Sequence, residues 1–425
     1  MPSPLDQFAL PESMNGDDHL VATYVLSLPA DVDPLGRATR FAVGQTTGTW
    51  LPVPGITDEI RARHEARVVG ISSLPPSDTR GLTDPDRIGY VLRIAIPVIN
   101  FGSSLPMLLT TLLGNDSSTS VEAKLVDLEL PDAYATRFRG PAFGVDGLRR
   151  LTGVTDRPLL LNMLKPCAGM PPAIAREVFF ETALGGIDLI KDDELTADPE
   201  YSPVVERVRL FTQAAREAAN ETGIETVYIP NVTDRPDRMI DTARRAVDAG
   251  ARAVMATYAT VGYGALEALT EAVDVPVLGH FAGAAPYFEG PSTGMSAPLA
   301  MGLLPRLAGA DLALVSTPYG GATIRTLPYQ RTVHQMLLPR PGIAPTMPVI
   351  GGGVHPGTVA RYVSELGTDI VLGAGGAVQG HAGGAAAGVR AMRQAIDAAV
   401  AGVAVEDAAA VHDDLRIAID AWGVI

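Results

Sequence analysis

The sequence predicts an α/β protein in which a smaller α+β domain precedes a (β/α)₈ barrel. The chain has 425 residues, more than a single hydrophobic core usually accommodates, so two domains are expected. Interrupted strand patterns fill the first part of the chain. Beyond about residue 150, eight short apolar runs alternate with Ala-rich amphipathic segments, and eight parallel strands are the number that closes a barrel.

The N-terminal domain is expected to span residues 1–140. Strand-like patterns cover residues 19–28, 67–71 and 89–97, and turns rich in proline and glycine lie between them. A further stretch rich in glycine and proline follows at 137–147, where we expect the hinge between the two domains.

The second domain, residues 141–425, is expected to form the barrel. Its predicted strands are short and apolar, and several follow a glycine, as loops leading from a helix to a strand require. These strands are 159–164, 189–191, 226–230, 253–257, 275–280, 312–315, 347–351 and 370–373. The predicted helices between them include 203–222, 235–249, 265–272, 298–308 and 357–366. A doubly wound open sheet remains the alternative, because periodicity alone does not show closure.

Composition and charge limit the partners and the cellular compartment that we expect for this protein. The formal net charge of −15 argues against nucleic acid or an anionic membrane as a partner, although backbone amides or a metal ion can still bind a phosphorylated ligand. The single cysteine, Cys167, excludes an internal disulfide and fits a reducing compartment. The first 20 residues lack a basic region and an apolar core, and the longest apolar stretch, 94–113, is broken by prolines and glycine. We therefore expect a soluble, cytoplasmic protein.

Lysine is scarce in this chain. Of 33 lysines and arginines only Lys124, Lys165 and Lys191 are lysines, and the last two end apolar runs that predict strands. A lysine can lose its proton whereas an arginine does not, so a lysine at a strand end suggests chemistry. In a (β/α)₈ barrel the active site lies on the loops that follow the strands, where Lys165 and Lys191 would both lie.

Lys191 begins the run Lys191-Asp192-Asp193-Glu194 after the second barrel strand. Asp193 and Glu194 offer hard oxygen ligands for Mg²⁺, but two carboxylates make an incomplete site. Reaction of the Lys191 amine with CO₂ would give a carbamate that adds an anionic ligand and a general base, and burial would favour the neutral amine that this reaction needs. An exposed helix start with acidic residues at the positive end of the dipole explains the same spacing. Spacing alone leaves both open.

Lys165 follows a buried strand, so its amine is expected in the barrel mouth, with a pKa lowered by desolvation and by a nearby metal. There it would transfer protons, or form a Schiff base with a carbonyl substrate. A lysine that lies at the barrel rim without chemical function is the structural alternative. His280 ends the fifth strand and faces the same mouth, where a histidine is either catalytic or a satisfied core residue.

Two glycine clusters follow the last two strands. Gly352 and Gly353 come after the seventh strand, and Gly375 and Gly376 after the eighth. Barrels commonly bind phosphate at these positions through backbone N–H groups, because glycine lets the main chain approach an anion closely. Tight turning without a ligand is the alternative.

These residues and several ordered motifs resemble the large subunit of ribulose-bisphosphate carboxylase and its RuBisCO-like relatives, over about residues 19–400. The most specific motif runs from Gly185-Gly186 to Lys191-Asp192-Asp193-Glu194. The others are Thr47-Gly48-Thr49-Trp50, Leu113-Gly114-Asn115, Gly140-Pro141-Ala142-Phe143-Gly144, Arg157-Pro158-Leu159-Leu160, Leu164-Lys165-Pro166, Gly351-Gly352-Gly353-Val354-His355 and Gly375-Gly376.

The resemblance implies an α+β domain on a (β/α)₈ barrel, with Lys191 carbamylated by CO₂ and binding Mg²⁺ together with Asp193 and Glu194. It implies a homodimer, or a larger assembly of dimers, in which Thr47 and Asn115 of one chain complete the barrel site of the other. It further implies that Lys165 carries protons during enolisation and that the glycine clusters hold a phosphate.

Departures from the carboxylase pattern exclude CO₂ fixation. Carboxylases carry a second lysine where this chain has Cys167, and Phe281 and Leu314 replace an arginine and a histidine. Gly44-Gln45 stands where carboxylases have a glutamate. No lysine follows Lys191, so the loop after the sixth strand, 317–321, lacks the catalytic amine.

The expected function is therefore that of a Mg²⁺-dependent enzyme that acts through an enediolate on a small phosphorylated sugar derivative. An isomerase or enolase acting on a methylthio-ketose phosphate is the main hypothesis, although related enolases carry a lysine at the position of Asn115. The alternatives are a decarboxylase or carboxyl-transfer enzyme acting on a 3-oxo sugar-acid phosphate, a metal-free Schiff-base aldolase using Lys165, and a sugar-phosphate binding protein without activity.

Overall fold

The computed structural model describes residues 4–14, 16–49, 51, 53–76, 86–120, 122–321 and 324–425. Trp50, which belongs to one of the motifs above, lies outside these residues. The chain divides into two compact units. Unit 1 comprises Met1–Arg139, Ala284–Ala300 and Arg340–Ile343, and unit 2 comprises Gly140–Gly283, Met301–Pro339 and Ala344–Ile425.

The described residues form strands and α-helices that are numbered in chain order. The strands are β1 His19–Pro29, β2 Arg67–Leu74, β3 Arg87–Pro97, β4 Ala123–Glu129, β5 Leu159–Met163, β6 Leu189–Lys191, β7 Val227–Ile229, β8 Val254–Thr257, β9 Val277–His280, β10 Leu312–Ser316, β11 Met347–Gly351 and β12 Val371–Gly373. The α-helices are α1 Pro34–Gly44, α2 Asp58–His64, α3 Leu105–Leu112, α4 Asp132–Ala135, α5 Gly144–Thr152, α6 Pro172–Leu184, α7 Val204–Thr222, α8 Pro236–Asp248, α9 Tyr258–Val261, α10 Tyr263–Ala272, α11 Ala285–Phe288, α12 Leu304–Leu307, α13 Thr326–Leu337, α14 Val359–Leu366, α15 Gly376–Gln379, α16 Ala385–Ala401, α17 Val405–Ala409 and α18 Asp413–Trp422.

Unit 1 is built on an antiparallel sheet with the strand order β2-β3-β1-β4. In β1, buried residues alternate with partly exposed ones, as expected for a sheet that packs on one face. The three predicted strands are confirmed, whereas β4 was not among them.

Two segments that the sequence assigns to the barrel domain group with unit 1 instead. Segment Ala284–Ala300 pairs with β4, where Leu125 N–H donates to Gly294 O at 2.9 Å and Ser296 N–H donates to Leu125 O at 2.8 Å. Lys124 Nζ donates to the carbonyl oxygens of Phe288 and Gly290, each at 2.6 Å. Main-chain pairing, which composition does not reveal, thus draws this segment to unit 1.

Unit 2 contains an eight-stranded parallel sheet with the order β7-β6-β5-β12-β11-β10-β9-β8. Its two end strands meet through a parallel bridge between Asn231 and Met255, supported by Val232 N–H donating to Met255 O at 2.9 Å. The sheet therefore curls into a barrel, as predicted, and the open-sheet alternative is wrong. All eight predicted strands are present within three residues of their expected bounds.

The barrel interior is apolar, and each of its strands contributes buried side chains. Its packed core includes Leu159, Leu161, Leu189, Val227, Ile229, Met255, Leu278, Leu312, Leu314, Met347, Val349 and Val371. The predicted helix at 298–308 is instead a π-helical turn, Pro298–Leu303, followed by α12.

Buried carboxylates bind the main chain at the starts of barrel strands. Asp188, just before β6, forms a two-pronged ion pair with Arg157, with both N–O distances 2.8 Å, and accepts a hydrogen bond from Leu160 N–H at 2.8 Å. Asp311, just before β10, accepts hydrogen bonds from Phe143, Gly144 and Val277 N–H groups at 2.7 to 2.9 Å. These contacts fix strand register at the end of the barrel opposite the strand C-termini.

No helix in the described part of the chain is both long and apolar enough to cross a membrane.

The Asp188→Ala substitution should destabilise the protein by about 3–5 kcal/mol, because it leaves the buried Arg157 guanidinium without its partner. Denaturant unfolding followed by circular dichroism measures the loss. Glu129→Ala is the matched control: its pair with Arg93 is 2.7 Å long, but the two side chains are 57% and 38% exposed, so about 0–1 kcal/mol is expected. Equal losses in the two variants would contradict the assignment of Asp188 as a structural anchor.

Candidate active site

Side chains from three strand ends meet at the C-terminal mouth of the barrel. Lys165, after β5, donates from Nζ to Asp193 Oδ2 at 2.7 Å. Lys191, the last residue of β6, has its Nζ 3.7 Å from Glu194 Oε2. His280, the last residue of β9, has its Nε2 3.3 Å from the same Glu194 oxygen. Five residues singled out in the sequence thus form one connected cluster.

The Lys191 amine is fully buried, with 0% of the residue exposed. Burial lowers its pKa, although Glu194 and Asp193 favour the charged form. Its Nζ donates to Asp192 O at 2.9 Å. The run from Lys191 to Glu194 leaves the strand into a turn and does not begin a helix, so the alternative of an exposed helix start is wrong.

Asp192 anchors the turn that carries Asp193 and Glu194. Its carboxylate accepts hydrogen bonds from Tyr228 Oη at 2.6 Å, from Arg207 Nη2 at 2.9 Å and from Asn231 N–H at 2.9 Å. The Arg207 residue is only 2% exposed, so this ion pair is buried.

The Asn231 side chain holds the same turn by donating from Nδ2 to the carbonyl oxygens of Asp193 and Glu194, at 3.3 and 3.2 Å. Sequence reasoning missed the roles of Arg207 and Tyr228. Nothing in their spacing from Asp192 connects them, since they lie on α7 and β7.

The pKa of Lys165 is raised, whereas the sequence predicted that it would be lowered. Burial favours its neutral form, but hydrogen bonds with Asp193 and with Cys167 Sγ, at 2.7 and 2.8 Å, raise the pKa overall. The prediction of a lowered pKa considered burial and a metal but not an ion pair. The Lys165 side chain is 39% exposed, so its amine can be reached from the barrel mouth.

His280 is oriented by its own main chain. Ala282 N–H donates to its Nδ1 at 3.0 Å, so Nδ1 carries the lone pair and Nε2 carries the proton that faces Glu194. Burial lowers the pKa of His280, which favours the neutral ring. The hydrogen bond with His280 in turn lowers the pKa of Glu194, although its own burial opposes this. The contact is therefore that of a neutral donor with a carboxylate.

The four predicted phosphate-binding glycines have different surroundings. A Cβ atom on Gly352 or Gly376 would meet no atom within 4 Å. A Cβ on Gly375 would lie 3.0 Å from Met163 Sδ and 3.8 Å from Lys165 Cε, so this glycine adjoins the lysine. At Gly353 the corresponding space is filled by the main chain of the loop after β10. The space that a side chain would occupy is thus open at Gly352 and at Gly376.

The acidic donors alone do not form a metal site. Among the described residues, no group of three or more His, Cys, Asp or Glu side chains is arranged to hold a metal ion. Asp193 and Glu194 supply two carboxylates beside the buried Lys191 amine. A carbamate on Lys191 would add the missing anionic oxygens, so the donor set fits Mg²⁺ when that lysine is modified.

Thr47 and Asn115 lie in unit 1 and not in the barrel cluster. Thr47 Oγ1 donates to Glu65 Oε2 at 2.8 Å, and this carboxylate also binds Arg61 at 2.6 Å. Thr47 borders a cavity of about 400 Å³ that sequence reasoning did not identify. The cavity is lined by polar and apolar side chains of unit 1: Gln45, Thr46, Thr47, Ile56, Ile60, His64, Asn100, Met107 and Thr111.

Two family models cover most of the chain. The ribulose bisphosphate carboxylase large chain catalytic domain matches residues 144–324 and 332–422, and the N-terminal domain of the same large chain matches residues 8–134. A ribulose bisphosphate carboxylase-like protein of Archaeoglobus fulgidus is 40% identical, covering 93% of this chain and 90% of that protein. The 2,3-diketo-5-methylthiopentyl-1-phosphate enolase of Geobacillus kaustophilus is 36% identical, covering 96% and 98% respectively.

The solved structures that match this chain belong to the same family. A rubisco-like protein (MtnW) from Alicyclobacillus acidocaldarius matches with a TM-score of 0.88 at 36% identity, covering 96% of this chain and 100% of that chain. A dimeric archaeal Rubisco from Hyperthermus butylicus matches with a TM-score of 0.87 at 29% identity, covering all of both chains.

The described hydrogen bonds predict a single tautomer for His280. Long-range ¹H–¹⁵N spectra of the labelled protein should show His280 with a bare Nδ1 and a protonated Nε2, because the Ala282 N–H occupies Nδ1. A His280→Gln variant identifies the signal. A protonated Nδ1 in the neutral ring would contradict the arrangement.

Proposed function

We infer that this chain, which belongs to the ribulose bisphosphate carboxylase large-chain family, is a RuBisCO-like enolase and not a carboxylase. The proposed substrate is 2,3-diketo-5-methylthiopentyl-1-phosphate. This compound appears in the name of the enolase that aligns with 96% of this chain. The observation that carries the proposal is the cluster of Lys165, Lys191, Asp193 and Glu194 at the barrel mouth.

Three positions argue against carboxylation. Cys167 stands where a carboxylase has its second lysine, and its Sγ contacts Lys165 at 2.8 Å. The loop after β10 contains no lysine. Leu314 is part of the apolar barrel core, so it offers no polar group where carboxylases have histidine. The residues that we propose for enolisation are present, whereas those with which a carboxylase handles CO₂ as a substrate are missing.

The residues that would hold the metal are Lys191 as its carbamate, Asp193 and Glu194. Bound there, Mg²⁺ supplies Lewis-acid stabilisation of the negative charge that develops on a carbonyl oxygen during enolisation. His280 keeps Glu194 in place by donating its Nε2 proton.

Lys165 is the proposed proton carrier. Its Nζ holds a proton between Asp193 and Cys167, and its 39% exposed side chain reaches the open mouth. In enolisation a base accepts the proton from a carbon next to a carbonyl, the C–H electron pair forms the C=C bond, and the carbonyl oxygen gains a proton. The carbamate on Lys191 would be the base for the carbon-bound proton. A lysine in this position can deliver a proton to the oxygen or return one to carbon.

The phosphate of the substrate is proposed to bind the turns after β11 and β12. Gly352 and Gly376 lie at these turns with open space where a side chain would be. Backbone N–H groups there can bind an anion locally, although the chain as a whole carries a negative net charge. Gly375, next to Lys165, links this phosphate site to the proton carrier.

A Schiff-base aldolase using Lys165 is less well supported. Attack on a carbonyl needs a neutral amine, whereas the ion pair with Asp193 raises the pKa of Lys165. No contact in the described site favours a decarboxylase or a carboxyl-transfer enzyme over an enolase.

With Mg²⁺ and bicarbonate, the protein should enolise 2,3-diketo-5-methylthiopentyl-1-phosphate, and Lys191→Met should lower kcat/KM at least about 10³-fold by removing the metal-binding group. Absorbance of the enol product is followed with this substrate, and release of labelled CO₂ is followed separately with a carboxyl-labelled 3-oxo sugar-acid phosphate. The matched control is Lys124→Met, because Lys124 binds only main-chain carbonyls in unit 1 among its described contacts, and near-normal activity is expected. CO₂ release from the 3-oxo sugar-acid phosphate, without enol formation from the diketone, would favour a decarboxylase, and borohydride trapping on Lys165 would favour an aldolase.

We also propose a homodimer in which Thr47 and Asn115 of one copy complete the barrel site of the other, in keeping with the dimeric relative. Asn115→Ala and Lys191→Met should each be nearly inactive alone. Co-expressed, they should recover about a quarter of the wild-type activity, since half of the dimers are mixed and each of these has one intact site.

Lys165→Met co-expressed with Lys191→Met is the control for this recovery. Both changes lie in the barrel, so every site in every dimer keeps one defect and no recovery is expected. Absence of recovery with Asn115→Ala as well would mean that each chain holds a complete site.

A further inference from the structure

The loop after β10 is fixed to a neighbouring helix through Tyr319. The Tyr319 hydroxyl donates to Glu365 Oε1 on α14 at 2.6 Å. The Arg361 guanidinium, one turn earlier on the same helix, lies over the Tyr319 ring with its Cζ 4.1 Å from the ring centroid. Arg361 Nε also donates to the same Glu365 oxygen at 3.0 Å. The tyrosine is thus bound both by its ring and by its hydroxyl.

The base of the loop is fixed as well. Thr317 is fully buried, and its Oγ1 lies 2.9 Å from Tyr362 Oη, also on α14. Tyr319 N–H donates to Thr317 Oγ1 at 3.2 Å. The Tyr319 ring also contacts the rings of Tyr329 and Tyr362, with centroids 6.2 and 5.8 Å away. Two residues of the loop therefore hold it against α14.

The next residue, Gly320, packs directly on the turn after β11. A Cβ on Gly320 would lie 1.5 Å from Gly352 O, and a Cβ on Gly353 would lie 2.3 Å from Gly320 Cα. The two backbones are therefore in contact where neither can carry a side chain. Gly352 and Gly353 both have positive φ, +94° and +78°, so the turn has a conformation that few other residues adopt.

These contacts connect the loop after β10, α14 and the Gly352–Gly353 turn to one another. The loop after β10 binds α14 through Tyr319, and α14 begins a few residues after the Gly352–Gly353 turn on which Gly320 rests. Displacement of Tyr319 would therefore release Gly320 from the turn. The outer side of Gly352 stays open, since a Cβ there would meet no atom within 4 Å.

We propose that Tyr319 is a positioning residue for substrate binding. By fixing the loop after β10 to α14, it holds Gly320 against Gly352 and Gly353 and keeps their turn in the shape that binds a phosphate group. The inference rests on the proposed function only in taking phosphate as the ligand of this turn.

Tyr319→Phe tests the inference, because it removes the bond to Glu365 and keeps the ring under Arg361. Because only part of the loss of one hydrogen bond to a charged acceptor would reach the phosphate turn, we expect binding of inorganic phosphate to weaken, and KM for the phosphorylated substrate to rise, about five- to tenfold. The kcat should stay within about twofold, since Tyr319 touches no reacting group. Hydrogen–deuterium exchange of the ligand-free protein should become faster in residues 350–355.

Two further variants keep the test decisive. Glu365→Leu removes the oxygen that accepts the hydrogen bond from the Tyr319 hydroxyl and should reproduce the effects of Tyr319→Phe. Tyr329→Phe is the matched control, because the Tyr329 hydroxyl is buried without a hydrogen-bond partner among the described residues. It should leave phosphate affinity and exchange unchanged.

Unchanged phosphate affinity and unchanged exchange in Tyr319→Phe would overturn the inference, as would a wild-type protein that binds no phosphate. A wild-type protein that binds phosphate but does not enolise the substrate would refute the proposed function. If Tyr319→Phe still weakened phosphate binding in that case, the role of Tyr319 would stand.

Discussion

The candidate site depends on the buried carboxylate of Asp192. It lies between two acidic residues that face the barrel mouth and a lysine that is sealed in the barrel wall. By accepting hydrogen bonds from Arg207, Tyr228 and Asn231 N–H, it ties the end of β6 to α7 and to the residues after β7. A buried ion pair of this kind contributes little net stability, because the cost of desolvation offsets the attraction. Here its contacts fix the geometry of Asp193 and Glu194.

With that turn fixed, the two lysines have opposite electrostatic surroundings although they end adjacent strands. Lys191 is sealed from solvent, and burial lowers its pKa. Lys165 is partly exposed and paired with Asp193, and its pKa is raised. A neutral amine is the form that reacts with CO₂, and an ammonium is the form that donates a proton. The proposed division of labour between the lysines thus rests on burial and on one ion pair.

The barrel and its strands could be predicted because short apolar runs followed by polar strand ends depend only on local sequence. The same pattern placed five residues at one end of the barrel: Lys165, Lys191, Asp193, Glu194 and His280. It did not reveal β4 as a strand, nor that segment Ala284–Ala300 pairs with it. It also gave the wrong direction for the pKa of Lys165, because the Asp193 partner lies 28 positions away along the chain.

The sequence by itself determined the order of elements, the family and the chemical types gathered at the barrel mouth, since periodicity and motif spacing are properties of neighbouring residues. Only the tertiary structure decided which lysine has a lowered pKa, which tautomer His280 adopts, and that Tyr319 supports the turn at Gly352 through α14. Burial, hydrogen-bond direction and backbone contact arise between residues that are distant in the chain. They exist only once the barrel has closed.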